Sequence, residues 1–298
     1  MSELSDLYDL EAELHEYIKK VEKGFASGLA KKRAKYQEFL NCILAFYFFT
    51  SFVTEKKIVS IEERLKPLML LYSKSSMSLL GIYSCLMNGL APEAAIILRS
   101  LFENLVTIEI ITNEDVVDRL KLYSDYLYVT QWRHLEAKRK LAKEGKGTQE
   151  KFDSKFKKLN ETTEGNFNRV RANYTDGKGK LKNWNWKIFK SELGNRDPSI
   201  KFICSKLGRS EDYVSLYSSI SELTHSSPLI AHVVTEGNVI FLTPKFSNLV
   251  INIGMQGLGY SSDIVKLVAN FLDLPSKKAI NNHVDSFIDK ALDRFRSS

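Results

Sequence analysis

The sequence predicts a mainly α-helical protein, a multi-helix bundle with one small β-hairpin near residues 231–243. Three observations carry this. Six prolines and fifteen glycines in 298 positions are too few for an all-β chain, which needs a turn signal about every 8–12 residues. Hydrophobic residues make up 44% and charged residues 27% of the chain, enough for a sizeable core. Apolar positions also recur at helical spacing through long segments separated by single Gly or Pro signals. The expected organisation is an N-terminal helical arm at 1–56 and a helical core domain at 57–298, with a lysine-rich insert at about 143–182.

The elements follow in order. Leu7, Leu10, Leu14, Tyr17 and Ile18 give residues 4–35 an amphipathic helical pattern. The run FLNCILAFYFFTSFV, residues 39–53, holds Asn41, Thr50 and Ser51, and is shorter than the roughly 20 residues of a membrane span. A buried core helix fits it, and its aromatics leave a contact helix as the alternative. Ser60 with Glu62 and Glu63 reads as a helix start. Gly89 sits where a C-cap is expected, and Pro92 falls at an early position of the next helix. A further helix runs from Asp115 to about Lys143. Trp184 and Trp186 in NWNWKIF have strand or loop spacing. Ser210 is expected to cap the helix SEDYVSLYSSISELTH, with Tyr213, Leu216, Tyr217, Ile220 and Leu223 on its apolar face. The run LIAHVVTEGNVIFLTP reads as the hairpin, turning near Glu236–Gly237–Asn238, and helices at 245–272 and 276–296 close the chain.

Several function classes find no support. Cys42, Cys85 and Cys204 form no CxxC pair and no cluster of zinc spacing. The acidic, amphipathic N-terminus does not read as a signal peptide, so a reducing cytoplasm is expected. There is no GxxxxGK[ST], no GxGxxG after a strand and no HExxH. No metal, no cofactor and no membrane span are implied.

The clearest pattern lies in PEAAIILRSLFENLVTIEIIT, where Arg99, Ser100, Glu103, Asn104 and Thr107 fall on one polar stripe at about 100° per residue. Arg99 and Glu103 form either a surface ion pair, worth only about 0.3–0.5 kcal/mol, or an oriented guanidinium able to bind phosphate. Ser221 and His225, one turn apart with Ser218 beside them, flank the apolar face of the later helix. A histidine in a last turn is favoured by the helix dipole alone. As a nucleophile–base pair, Ser221 and His225 lack a Gly-x-Ser-x-Gly elbow.

Residues 131–190 carry 17 Lys and Arg against 7 Asp and Glu. That excess of 10 exceeds the +7 of the whole chain, leaving the remainder at about −3. The segment is either a solvated face or a surface for RNA or another anionic ligand. In the second reading Lys155 and Lys158 meet phosphates, and aromatics such as Trp184 stack on bases.

GLAPEAAIILRSLFENLVTIEII, followed about 120 residues later by YSSISELTHSSP, resembles a bacterial and phage family of helical proteins known only as a domain of unknown function. The resemblance rests on an A-x-x-x-x-R-S-x-x-E helix and a later S-x-x-x-H helix, and covers roughly residues 60–270. More loosely, the chain resembles HEPN proteins, which are helical bundles, often dimeric, and many of them metal-independent ribonucleases of toxin and antiphage systems. Their usual Arg before the His is absent here, since Ser218, Ser219, Ile220 and Ser221 fill that spacing. The resemblance implies a homodimeric, RNA-directed nuclease or effector of prokaryotic defence. His225 would be its general acid or base, Arg99 would stabilise the phosphorane from a neighbouring helix, and Ser221 or Tyr217 would orient substrate. The rival is a non-catalytic interaction or anion-sensing module, in which Arg99, Glu103 and His225 form a structural polar network.

Overall fold

The computed structural model describes residues 16, 19, 30, 34, 36–56, 58, 61–144, 154, 157–218, 233–236, 239–242 and 246–296. The fold is mainly helical. Its principal helices are α1 (36–56), α2 (Lys66–Met87), α3 (Ala91–Asn113), α4 (Val116–Glu144), α5 (Lys157–Val170), α6 (Ile200–Lys206), α7 (Phe246–Phe271) and α8 (Lys277–Arg296). Strands β1 (Val233–Glu236) and β2 (Val239–Leu242) pair antiparallel, Val233 opposite Leu242 and Glu236 opposite Val239. Among the described residues, no helix is long and apolar enough to cross a membrane.

The helix boundaries follow local chemistry. Gly89 takes φ +73° after α2, a left-handed conformation in which a Cβ would be strained. Pro92 is the second residue of α3, where its missing N–H removes no helical bond. The 3₁₀ turn Glu63–Leu65 leads into α2, with Glu62 as its N-cap; Ser60 lies outside the described residues. Ser199 caps α6 by accepting from the Phe202 N–H. Ser210 does not cap its helix, contrary to expectation. Arg209 is the N-cap residue and Ser210 is already helical, because the first helical bond runs from the Tyr213 N–H to the Arg209 carbonyl at 3.1 Å. The α-helix lasts only from Ser210 to Asp212, and Tyr213–Ser218 is a π-helix. A π-helix bonds i to i+5, so the apolar face drawn at 3.6 residues per turn does not apply to residues 213–218.

The chain forms two compact units, the first comprising Met1–Val59, Lys74–Leu105 and Leu216–Ser298. Its core joins Phe39, Ile43 and Phe46 of α1 with Leu79 and Ile82 of α2, Leu98, Leu101 and Phe102 of α3, and Leu258 and Ile264 of α7, all buried. Phe46 meets Phe287 of α8 edge-on at 5.5 Å, and Phe102 meets Tyr260 of α7 at 5.1 Å. Gly254 lets α1 and α7 approach closely, since a Cβ there would stand 2.6 Å from Phe39 Cε1 and 2.9 Å from Ile43 Cδ1. Helix α1 is thus a core helix on one face. On the other it leaves Phe48 61% and Phe52 48% exposed, beside a groove also lined by Ile280, His283 and Phe287.

The second unit comprises Ser60–Ser73 and Val106–Ser215. Val129, Phe167, Val170 and Tyr174 form its buried centre. Trp132 of α4 stacks flat on Phe167 of α5 at 4.8 Å, which locks the two helices. The Tyr174 hydroxyl donates to the Leu122 carbonyl at 2.5 Å, and burial raises its pKa well above the phenol value. Past α5 the chain is tied by its own polar groups. Thr175 bridges Leu181, and Trp186 Nε1 donates to the Gly194 carbonyl at 2.9 Å.

Candidate functional site

The polar stripe of α3 exists because its opposite side, through Ala94, Leu98, Leu101, Phe102 and Leu105, is fully buried. Arg99 Nε donates to Glu103 Oε1 at 3.3 Å, with the Arg99 side chain 21% and the Glu103 side chain 47% exposed. The pair is therefore half-buried on its cationic side and wet on its anionic side. Glu103 fixes where the guanidinium points, and at this exposure contributes little stability.

Asn104 is only 4% exposed, and Lys74 Nζ of α2 donates to its Oδ1 at 3.1 Å. An ammonium can only donate, so this contact sets the amide orientation. It turns Nδ2, with two hydrogens, into a buried position where it has no hydrogen-bond partner among the described residues. Leaving such a donor unpaired costs about 1–3 kcal/mol. The packing of α2 on α3 thus joins the donors Lys74 and Asn104, and α3 separately carries Arg99 bonded to Glu103.

Lys74 is a member of this constellation that sequence reasoning missed. It stands 30 residues before Asn104 and reads as an ordinary surface lysine; only the packing of α2 on α3 joins them. Tyr217 and Ser218 end the π-helix. Ser221, His225 and Lys155 lie outside the described residues. The structure therefore brings together Arg99 with Glu103, and Asn104 with Lys74.

Lys158 is exposed on α5, and no ion pair among the described residues engages it. Trp184 is half-buried, meets Tyr123 edge-on at 5.2 Å, and packs against the Val129–Phe167 core. The basic segment is also less free than its charge count suggests. Lys182 is 3% exposed, lies 3.1 Å from Asp176 Oδ2, and donates to the Asn195 carbonyl. Asp176 Oδ1 accepts from the N–H groups of Lys178 and Lys180, both at 2.9 Å. The Lys180 N–H foremost, then Lys182 and Lys178, hold the Asp176 carboxyl below its ordinary pKa. Arg139 is likewise committed, pairing with Glu136 at 3.3 Å and Glu164 at 2.5 Å.

Neither Cys85 nor Cys204 is an activated nucleophile. Cys204 is fully buried, and burial pushes it up to about 11. Cys85 is raised by burial and by the nearby Glu93.

No curated protein and no solved structure matches the chain. A family model matches residues 65–240, a span that includes the Arg99–Glu103 helix, the π-helix and the Ser221–His225 stretch. With more than half of its length matched, the chain belongs to DUF5677, a family of unknown function.

Proposed function

We propose that this protein is an RNA-directed, metal-independent nuclease or effector of a prokaryotic defence or toxin system, acting as a homodimer. The donor set on α2 and α3 supports the reading. Lys74, Arg99 and the unused Asn104 amide hydrogens are complementary to phosphate oxygens, which only accept. Glu103 pre-aims the guanidinium, so little reorganisation is required when charge develops on a phosphorane.

In this mechanism the ribose 2′-oxygen attacks the adjacent phosphorus as His225 removes its proton. The bond from phosphorus to the 5′-oxygen breaks, and that oxygen takes up a proton as it leaves. The products are a 2′,3′-cyclic phosphate and a 5′-hydroxyl. Arg99 stabilises the extra negative charge, and Ser221, Ser218 and Tyr217 orient the ribose. Lys155, Lys158 and Trp184 of the basic segment bind RNA through its phosphates and bases.

Expression of the intact protein should slow bacterial growth, and Arg99→Ala or His225→Ala should each restore it at equal protein level. Unimpaired growth with the intact protein overturns the reading. The second reading is a non-catalytic interaction or anion-sensing module, with Arg99, Glu103 and His225 as a structural polar network. It is favoured by the burial of Asn104 and the confinement of the Arg99–Glu103 bond to one helix. It predicts that both variants lower the melting temperature and leave growth unchanged.

A further inference from the structure

We infer that the cleft between α4 and α5 is a binding site for a nucleoside monophosphate, free or as one residue of single-stranded RNA. The cleft has a volume of about 430 Å³, within the roughly 300–1,000 Å³ usual for small-molecule sites. It is lined from α4 by Tyr128, Gln131, His134 and Lys138, and from α5 by Asn160 and Asn166, among others. Its walls are fixed by the Trp132–Phe167 stack and by Arg139, which spans from Glu136 on α4 to Glu164 on α5.

Three features select the ligand class. The first is charge. Among the described residues no carboxylate lines the cleft, and the nearby described acids are engaged elsewhere: Glu136 and Glu164 by Arg139, and Glu161 by Lys157 at 3.9 Å. Lys138 lies in no ion pair among the described residues, and His134 carries a ring N–H donor in either protonation state. Together they make a phosphate subsite.

The second is the amides. Gln131 and Asn166 each present a donor beside an acceptor, the arrangement that pairs with the edge of a base. Tyr128 adds a ring, over which Arg169 already sits at 5.1 Å, so its π system is polarised for stacking.

The third feature excludes a bare anion. Thr162 and Thr163 also line the cleft, but each donates its hydroxyl hydrogen to its own helix, to the Lys158 and Leu159 carbonyls at 2.8 Å. What they offer a ligand is acceptor lone pairs, which repel phosphate oxygens and suit ribose hydroxyls or exocyclic amino groups.

The site is lined by α4 and α5 and does not depend on cleavage, so its test is a binding measurement. Calorimetric titration of the full-length protein with AMP, CMP, GMP and UMP should show saturable binding of at least one. Adenosine and inorganic phosphate, each supplying half of the recognition, should bind more weakly by about tenfold or more. Lys138→Ala and His134→Ala, both at exposed positions, should weaken the monophosphate by a similar factor with unchanged circular dichroism, while Arg99→Ala should not. Competition of a labelled eight-nucleotide RNA by the monophosphate assigns the same cleft to the strand; RNA binding that the monophosphate does not displace restricts the cleft to the free nucleotide. No heat with any monophosphate at millimolar concentration, or binding unchanged in both cleft variants, overturns the inference.

Discussion

Asn104→Leu separates a ligand-binding stripe from a structural one. In the native protein the Asn104 amide is buried, its oxygen accepts from Lys74, and its two nitrogen-bound hydrogens meet no acceptor among the described residues. Leucine keeps the branched skeleton of asparagine, with two methyl groups in place of the amide oxygen and nitrogen, and removes the unpaired donors, a relief of about 1–3 kcal/mol. The loss is the Lys74 hydrogen bond, worth at most about 1.5 kcal/mol net because Lys74 is exposed and its ammonium regains water. The balance runs from neutral to about 2 kcal/mol of stabilisation, a rise of up to about 5 °C in melting temperature. On the proposed function the same substitution removes a phosphate donor and should weaken RNA binding. Gain of stability with loss of binding is the mark of a polar group kept for function. Urea unfolding followed by circular dichroism gives the first quantity, and fluorescence anisotropy with a labelled RNA the second. Destabilisation by more than about 2 kcal/mol refutes this reasoning, because it would mean that the amide holds the helices together.

Other outcomes follow from the same structure. Gly254→Ala should destabilise by about 1–3 kcal/mol, read from a urea midpoint, because the new methyl collides with buried Phe39 and Ile43. Tyr174→Phe removes the hydrogen bond to the Leu122 carbonyl and should cost about 1–2 kcal/mol by the same assay. For Asp176 the folded pKa is lowered; its contribution is therefore fully present above the unfolded value of about 3.9 and lost as pH falls through the depressed folded value. Acid titration of stability should flatten in that window in Asp176→Asn. Cys204, buried and raised to about 11, should resist a thiol reagent at pH 8 in the native protein and react on unfolding.

The helices were legible where local signals sufficed. Gly89 and Pro92 bracket the α2–α3 turn in sequence and in structure, and α4, α7 and α8 fall within about two residues of the spans that apolar periodicity predicts. The Arg99–Glu103 pair was legible for the same reason, since both residues lie on one helix. Contacts set by tertiary packing were not. Nothing near Lys74 marks it as the partner of Asn104. Lys182 looked like one of a solvated run, yet it is buried against Asp176. Its only sequence trace is the Asp176–Gly177–Lys178–Gly179 turn, where the carboxylate accepts two backbone N–H groups and Gly179 takes φ +79°. The π-helix at Tyr213–Ser218 had no visible signal, because the apolar spacing there suits an α-helix equally well.

The most direct test of the central claim is the chemistry of RNA ends. Purified protein incubated with single-stranded RNA in excess EDTA should yield fragments bearing 2′,3′-cyclic phosphates and 5′-hydroxyls. Arg99→Ala and His225→Ala should each abolish them with melting temperature unchanged. RNA left whole by the intact protein, together with both variants melting several degrees lower, would contradict the account and assign the stripe to structure alone.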